Sequence, residues 1–128
     1  MRNVQSLVNV VGRWQAADVA FIRSLHYQAQ QTRNTAELHL ECILERRDTA
    51  KQGWPSEGNP RFKVVFRFTG VTDLSINEFG SGETQVMGFD IVDLSERGWE
   101  AKYEVQDYEN NRIHFLCADI EVISVGPI

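Results

Sequence analysis

Three histidines, two cysteines and many carboxylates are the residues of this chain able to do chemistry, and their spacing decides which kind. His26, His39 and His114 form no HxH, HxxxH or HExxH pattern and fall on three different predicted strands, so they supply no metal-ligand set. Cys42 and Cys117 sit inside the apolar alternations Leu38/Leu40/Cys42/Leu44 and Ile113/Phe115/Cys117, with no Cys or His at ligand spacing. They read as buried thiols acting as small hydrophobes. No GxSxG is present, and Gly80-Ser81-Gly82 precedes a strand where a phosphate cradle needs a helix. Asp107 and His114 are expected to face each other across a hairpin, as a surface ion pair worth about 0–1 kcal/mol. The carboxylate pairs Glu100/Glu104 and Asp90/Asp93 read as solvated acids. The expectation is a non-enzyme with no metal and no cofactor.

Charge is the feature these groups leave behind. Residues 1–70 carry ten Lys/Arg against six Asp/Glu, a balance of +4. Residues 71–128 carry three against twelve, a balance of −9, so the net −5 hides a strongly acidic second half. Between Asp90 and Glu109 stand seven acids with only Arg97 and Lys102 among them. These acids occupy one predicted hairpin, so they lie close together in any fold, as a solubility face or as a docking surface for a basic partner. The opposite sign gathers at Arg46, Arg47, Lys51, Arg61, Lys63 and Arg67 around Trp54. A pI near 5.1 argues against nucleic acid as the partner of that cluster. Trp54 itself either folds back onto the core or anchors a contact.

The elements that must hold these residues follow from periodicity. At 128 residues the chain fits one domain, 1–128. Val4, Leu7, Val8 and Val11 make one stripe of a short helix that Gly12 ends. Period-two runs then predict strands over 18–28, 36–45 and 61–68, the second with Glu37, His39, Glu41 and Glu45 on a wet face and Ile43 as its one break. Gly70 is expected to turn the chain into a separate strand over 71–79, and Gly80-Ser81-Gly82-Glu83 into a hairpin. Strands over 84–94 and 99–108 flank a turn at 95–98, in a register that sets Asp90 opposite Lys102 and Val92 opposite Glu100. An Asn110-Asn111 turn leads to a last strand over 112–125, apolar on both faces. The fold class is mainly β (α+β): one short helix and about seven mostly antiparallel strands in a curled sheet or sandwich. No apolar run approaches the roughly 18 residues of a membrane span, and the opening residues lack a signal-peptide core, so no membrane association and a cytoplasmic location are expected.

A resemblance sharpens the functional reading. Trp14-Gln15-Ala16-Ala17-Asp18-Val19 resembles a divergent form of the Phe-His-Asp-Ala-Glu-Val-type opening of a family of bacterial immunity proteins, which neutralise toxins of polymorphic toxin systems. The runs from Phe68 to Ile76 and from Phe115 to Val122 are similar to that group as well, while Gln15 and Ala16 stand where it carries a polar His-Asp pair. The resemblance implies a small protein that binds and blocks a cognate toxin domain, and many such domains are nucleases with basic clefts. On that reading the partner contacts are Asp90, Asp93, Glu100, Glu104, Asp107, Glu109 and Trp54. Two alternatives stay open: a small-ligand-binding β-barrel or sandwich with Trp14, Trp54 and Tyr103 near its mouth, and a structural or accessory subunit of a homo-oligomer.

Overall fold

A computed structural model describes residues 1–30, 35–49, 53–56, 58–98, 100–108 and 111–128. Helix α1 spans Val4–Val11, and Gly12 ends it at φ 97°, donating its N–H to the Val8 carbonyl at 2.8 Å. A positive φ costs glycine least, which is why the helix stops there. The apolar stripe turns Leu7 and Val11 into the core as α1 packs on the last strand. Eight strands follow among the described residues: β1 Val19–Gln30, β2 Thr35–Glu45, β3 Arg61–Ile76, β4 Thr84–Gln85, β5 Phe89–Asp93, β6 Tyr103–Asp107, β7 Ile113–Cys117 and β8 Asp119–Pro127. Every pairing among them is antiparallel. They form an open sheet in the order β4-β1-β2-β3-β7-β6-β5, with β8 on β3, so the chain is the mainly β single domain its periodicity predicts.

The centre of the fold is one long bent ladder. β3 does not stop at Gly70, as expected from the sequence; it runs on to Ile76. Its first part, Phe62 to Thr69, pairs with β8, and its second part, Thr72 to Ile76, pairs with β7. The last strand in turn breaks at Ala118 into β7 and β8, at the height where β3 bends. Gly70 (φ 64°) and Asp73 (φ 55°) carry the bend, and the Ala118 N–H donates to the Thr69 carbonyl at 2.9 Å across it. Two wings result. β2, β1 and β4 extend one from the first half of β3; β6 and β5 extend the other from β7. Their inner faces share a core in which Phe68 meets Phe115 edge-on at 4.8 Å and Phe66 meets Trp14 at 5.4 Å.

Other expectations yield to this topology. Gly80–Glu83 is a connection between wings, because β3 pairs with β7 and β8 while β4 pairs with β1. The run over 84–94 divides into β4 and β5, and Gly88 (φ 105°) sits between them with its α-carbon against the Ala17 backbone. The β5–β6 register is offset by four from the expected one: Asp90 faces Gln106 and Val92 faces Glu104, since the connection contains a 3-10 turn at Ser95–Arg97 and a longer return. His114 faces Gln106, one place from its expected position opposite Asp107.

Cys42 and Cys117 are free thiols with 0% exposure. Burial raises both from the ordinary thiol range, Cys117 to about 12, with the Glu41 and Asp119 carboxylates adding to the effect. The folded protein should therefore react with a thiol-specific chromogenic disulfide at neutral pH at least 100-fold more slowly than the urea-unfolded chain, which exposes two thiols. Rapid titration of either in the native state would contradict the packing.

Candidate functional site

The wing built from β5 and β6 holds the acidic hairpin. Asp93 accepts the Ser95 N–H at 2.8 Å and its hydroxyl at 2.6 Å, and these bonds hold its carboxyl below the usual carboxylate range. Glu100 is exposed, Asp90 half-buried, and neither makes an ion pair among the described residues. Glu104 points beside β7, where its Oε2 lies 2.9 Å from His114 Nε2. Asp107 departs from expectation. It is 5% exposed, and its Oδ1 accepts the backbone N–H groups of Arg112 and Ile113 at 2.9 and 3.0 Å. That carboxylate ties the end of β6 to the start of β7, so it is a structural tie and not a surface contact. Glu109 lies outside the described residues.

The topology explains why charge survives here and cancels elsewhere. β8 lies on the basic half of β3, so its acids find partners: Glu121 pairs with Arg67, and Asp119 with Arg2 at 2.6 Å. On the same wing Arg67 also approaches Glu37, Lys63 approaches Glu41 at 3.8 Å, and Arg23 meets Glu83 at 3.2 Å. Acids of the second half thus meet cations of the first at Arg67–Glu121, Arg2–Asp119 and Arg23–Glu83. β5 and β6 are separated from that basic stretch by β7, and the hairpin keeps Asp90, Asp93, Glu96 and Glu100 at its surface. The split in sequence becomes, in space, a mixed-charge wing and an acidic one.

Trp54 folds back. Its Nε1 donates to the Glu45 carbonyl at 2.7 Å, and the Arg47 guanidinium lies over its ring at 4.8 Å. Glu45, expected on a wet face, is 0% exposed, because the segment around Trp54 closes over the end of β2. Its carboxylate accepts the Ser56 N–H at 2.7 Å, Asn59 Nδ2 at 2.8 Å and Arg61 Nε at 3.3 Å. Asp18, in the segment that carries the resemblance, is 1% exposed; Arg13 grips it through two bonds of 3.0 and 2.7 Å, and the Arg47 N–H adds a third at 3.2 Å. Both acids organise backbone.

Sequence reasoning did not foresee the neighbour of Trp54. Ala17, Arg47, Met87 and Tyr108 line a solvent-open cleft of about 300 Å³, beside the end of the acidic hairpin. Tyr108 is 55% exposed, and the Arg47 guanidinium has no carboxylate partner among the described residues. Arg, Met, Tyr and Trp are the residue types that interface centres favour. The one sequence signal was Arg46-Arg47 next to an isolated tryptophan. His26 and His39 meet across β1 and β2 with ring centroids 6.3 Å apart. Among the described residues no group of three His, Cys, Asp or Glu is placed to hold a metal ion, and no helix is long and apolar enough to cross a membrane. Compared with models of protein families, with curated proteins and with solved structures, the chain gives no match.

Proposed function

We propose that this chain is a small cytoplasmic immunity-type protein that binds and neutralises a basic, nuclease-like toxin domain, without catalysis. The observation that carries the reading is the acidic β5–β6 hairpin, in which Asp90, Asp93, Glu96 and Glu100 make no ion pair among the described residues, while Glu37, Glu41 and Glu121 lie against the cations of β3. Asp90, Asp93, Glu100 and Glu104 supply the long-range attraction, and the cleft beside Trp54 supplies the apolar and aromatic anchor. Acidic surfaces of this kind speed encounter with a basic cleft and set its orientation, while buried anchors set how long the complex lasts.

The product of the adjacent gene is the partner to test. It should be toxic when expressed alone and tolerated together with this protein. With that partner in hand, Glu100→Lys combined with Glu104→Lys should slow association about tenfold at low salt, with the deficit shrinking as ionic strength rises. Association rates that stay equal to wild type at every salt concentration would remove the electrostatic part of the proposal. A partner that is harmless alone would remove the rest.

A further inference from the structure

The outer edge of β1 plays no part in that reading. β4 covers it only at Phe21 and Ile22, through Gln85 and Thr84. From Ser24 to Ala29 no strand among the described residues lies beside it, although its inner edge pairs with β2 throughout. After an irregularity between Ile22 and Ser24, that inner pairing runs on without a bulge, so the outer edge is regular too. All of Ser24 to Ala29 except Leu25 is exposed, with Tyr27 at 53%. Natural sheets blunt such an edge with Lys, Pro, a bulge or an inward-pointing charge. Ser24-Leu25-His26-Tyr27-Gln28-Ala29 contains no Lys, Arg, Asp, Glu, Pro or Gly.

We propose that this edge joins two copies of the chain: β1 of one copy adds antiparallel to β1 of the other about a two-fold axis, making one continuous sheet. Three observations favour a second copy over another occupant. The segment Ser24–Ala29 carries no formal charge, and Arg23 just before it is paired with Glu83 at 3.2 Å, so two chains of net charge −5 meet here without like charges across the seam. For the same reason a basic partner finds no carboxylate on this strand to select it. A second β1 is already an ordered strand, whereas a disordered peptide must lose conformational freedom to become one. A two-fold contact needs just such a self-complementary patch. Leu25 also lines a cleft of about 250 Å³ with Ile22, Arg23 and Phe79, beside this uncovered edge. Six residues per strand make a small contact, which belongs with weak and reversible associations, with a dissociation constant of roughly 10–1000 µM. The inference is independent of the toxin-binding reading.

Sedimentation velocity of the full chain from about 5 to 1000 µM tests it. Wild type should shift from monomer to dimer across that range. His26→Lys combined with Tyr27→Lys sets like charges opposite one another at the two-fold and should weaken dimerisation about tenfold or more, with an unchanged circular dichroism spectrum. As a second readout, Tyr27→Cys should oxidise to a disulfide-linked dimer much faster than Glu96→Cys, because Tyr27 lies near the two-fold and Glu96 on the other wing. Both native thiols are buried and stay silent. A chain monomeric at every concentration overturns the proposal. So does a dimer that the lysine pair leaves intact, or equal cross-linking of the two cysteine variants, and so does a monomer whose β1 edge is captured only by a foreign extended segment.

Discussion

Replacing Glu45 by alanine should lower stability by about 3–5 kcal/mol, a loss of roughly 10–20 °C in melting temperature for a domain of this size. The carboxylate is wholly buried, and three donors converge on it: the Ser56 N–H, Asn59 Nδ2 and Arg61 Nε. Removing it takes a charged acceptor from the half-buried Arg61 guanidinium and one acceptor each from the Ser56 N–H and Asn59 Nδ2, and the cost of those lost bonds sets the magnitude. Glu45→Gln keeps the shape and one acceptor oxygen, so it should cost less, about 1–3 kcal/mol. The two variants separate charge from geometry. Urea unfolding gives the stability, and hydrogen exchange at the Ser56 amide reports locally, since that N–H loses its acceptor in the alanine variant. If alanine costs under 1 kcal/mol, the Trp54 segment is held by something other than this carboxylate. The function reading gains a test as well: the Glu45 carbonyl and Arg47 fix Trp54, so loosening the segment should shorten the lifetime of a partner complex more than it slows its formation.

The error at Glu45 shows how far the sequence can be read. The alternation from Leu38 to Leu44 is correct, and it assigns β2 its core face. Alternation specifies two faces, however, and says nothing of what covers the outer one. That face is buried at Ile43 as well as at Glu45, and at Glu45 the cover comes from Ser56, Asn59 and Arg61, residues eleven or more positions away. The same limit explains β5 and β6. Their existence follows from Phe89, Ile91, Tyr103 and Val105, yet their register depends on how many residues the turn consumes, and the 3-10 turn at Ser95–Arg97 consumes more than a tight hairpin does. The acidic hairpin was legible because seven acids lie within one short stretch of chain, whereas its isolation from the basic residues was not. That depends on β7 standing between β6 and β3, which is a fact of topology. The cleft of Arg47, Met87 and Tyr108 draws on three separate parts of the chain and leaves no spacing to find.

The bend that separates the two wings gives the other large effect. Gly70→Ala should cost about 2–4 kcal/mol, from two terms that can be measured apart. At φ 64° any side chain pays about 1–2 kcal/mol for the left-handed region. A Cβ there would also lie 2.8 Å from the Ala118 Cβ, an overlap that either shifts the strands or strains them by about 1–3 kcal/mol. Ala118→Gly removes the closest overlap, leaving the Ala118 backbone nitrogen at 3.3 Å and the first term in full. The double variant should therefore be more stable than the sum of the single changes predicts, with a coupling of about 1–2 kcal/mol in a double-mutant cycle. Strict additivity would mean that the strands absorb the Cβ by moving, and that the bend is softer than its contacts suggest. The outcome reaches function, because this bend sets the angle between the mixed-charge wing and the acidic one. A variant that folds with the angle altered should keep the long-range attraction of the β5–β6 hairpin but misplace it against the Arg47 cleft. Its complexes with a basic partner should then form at a near-normal rate and dissociate faster.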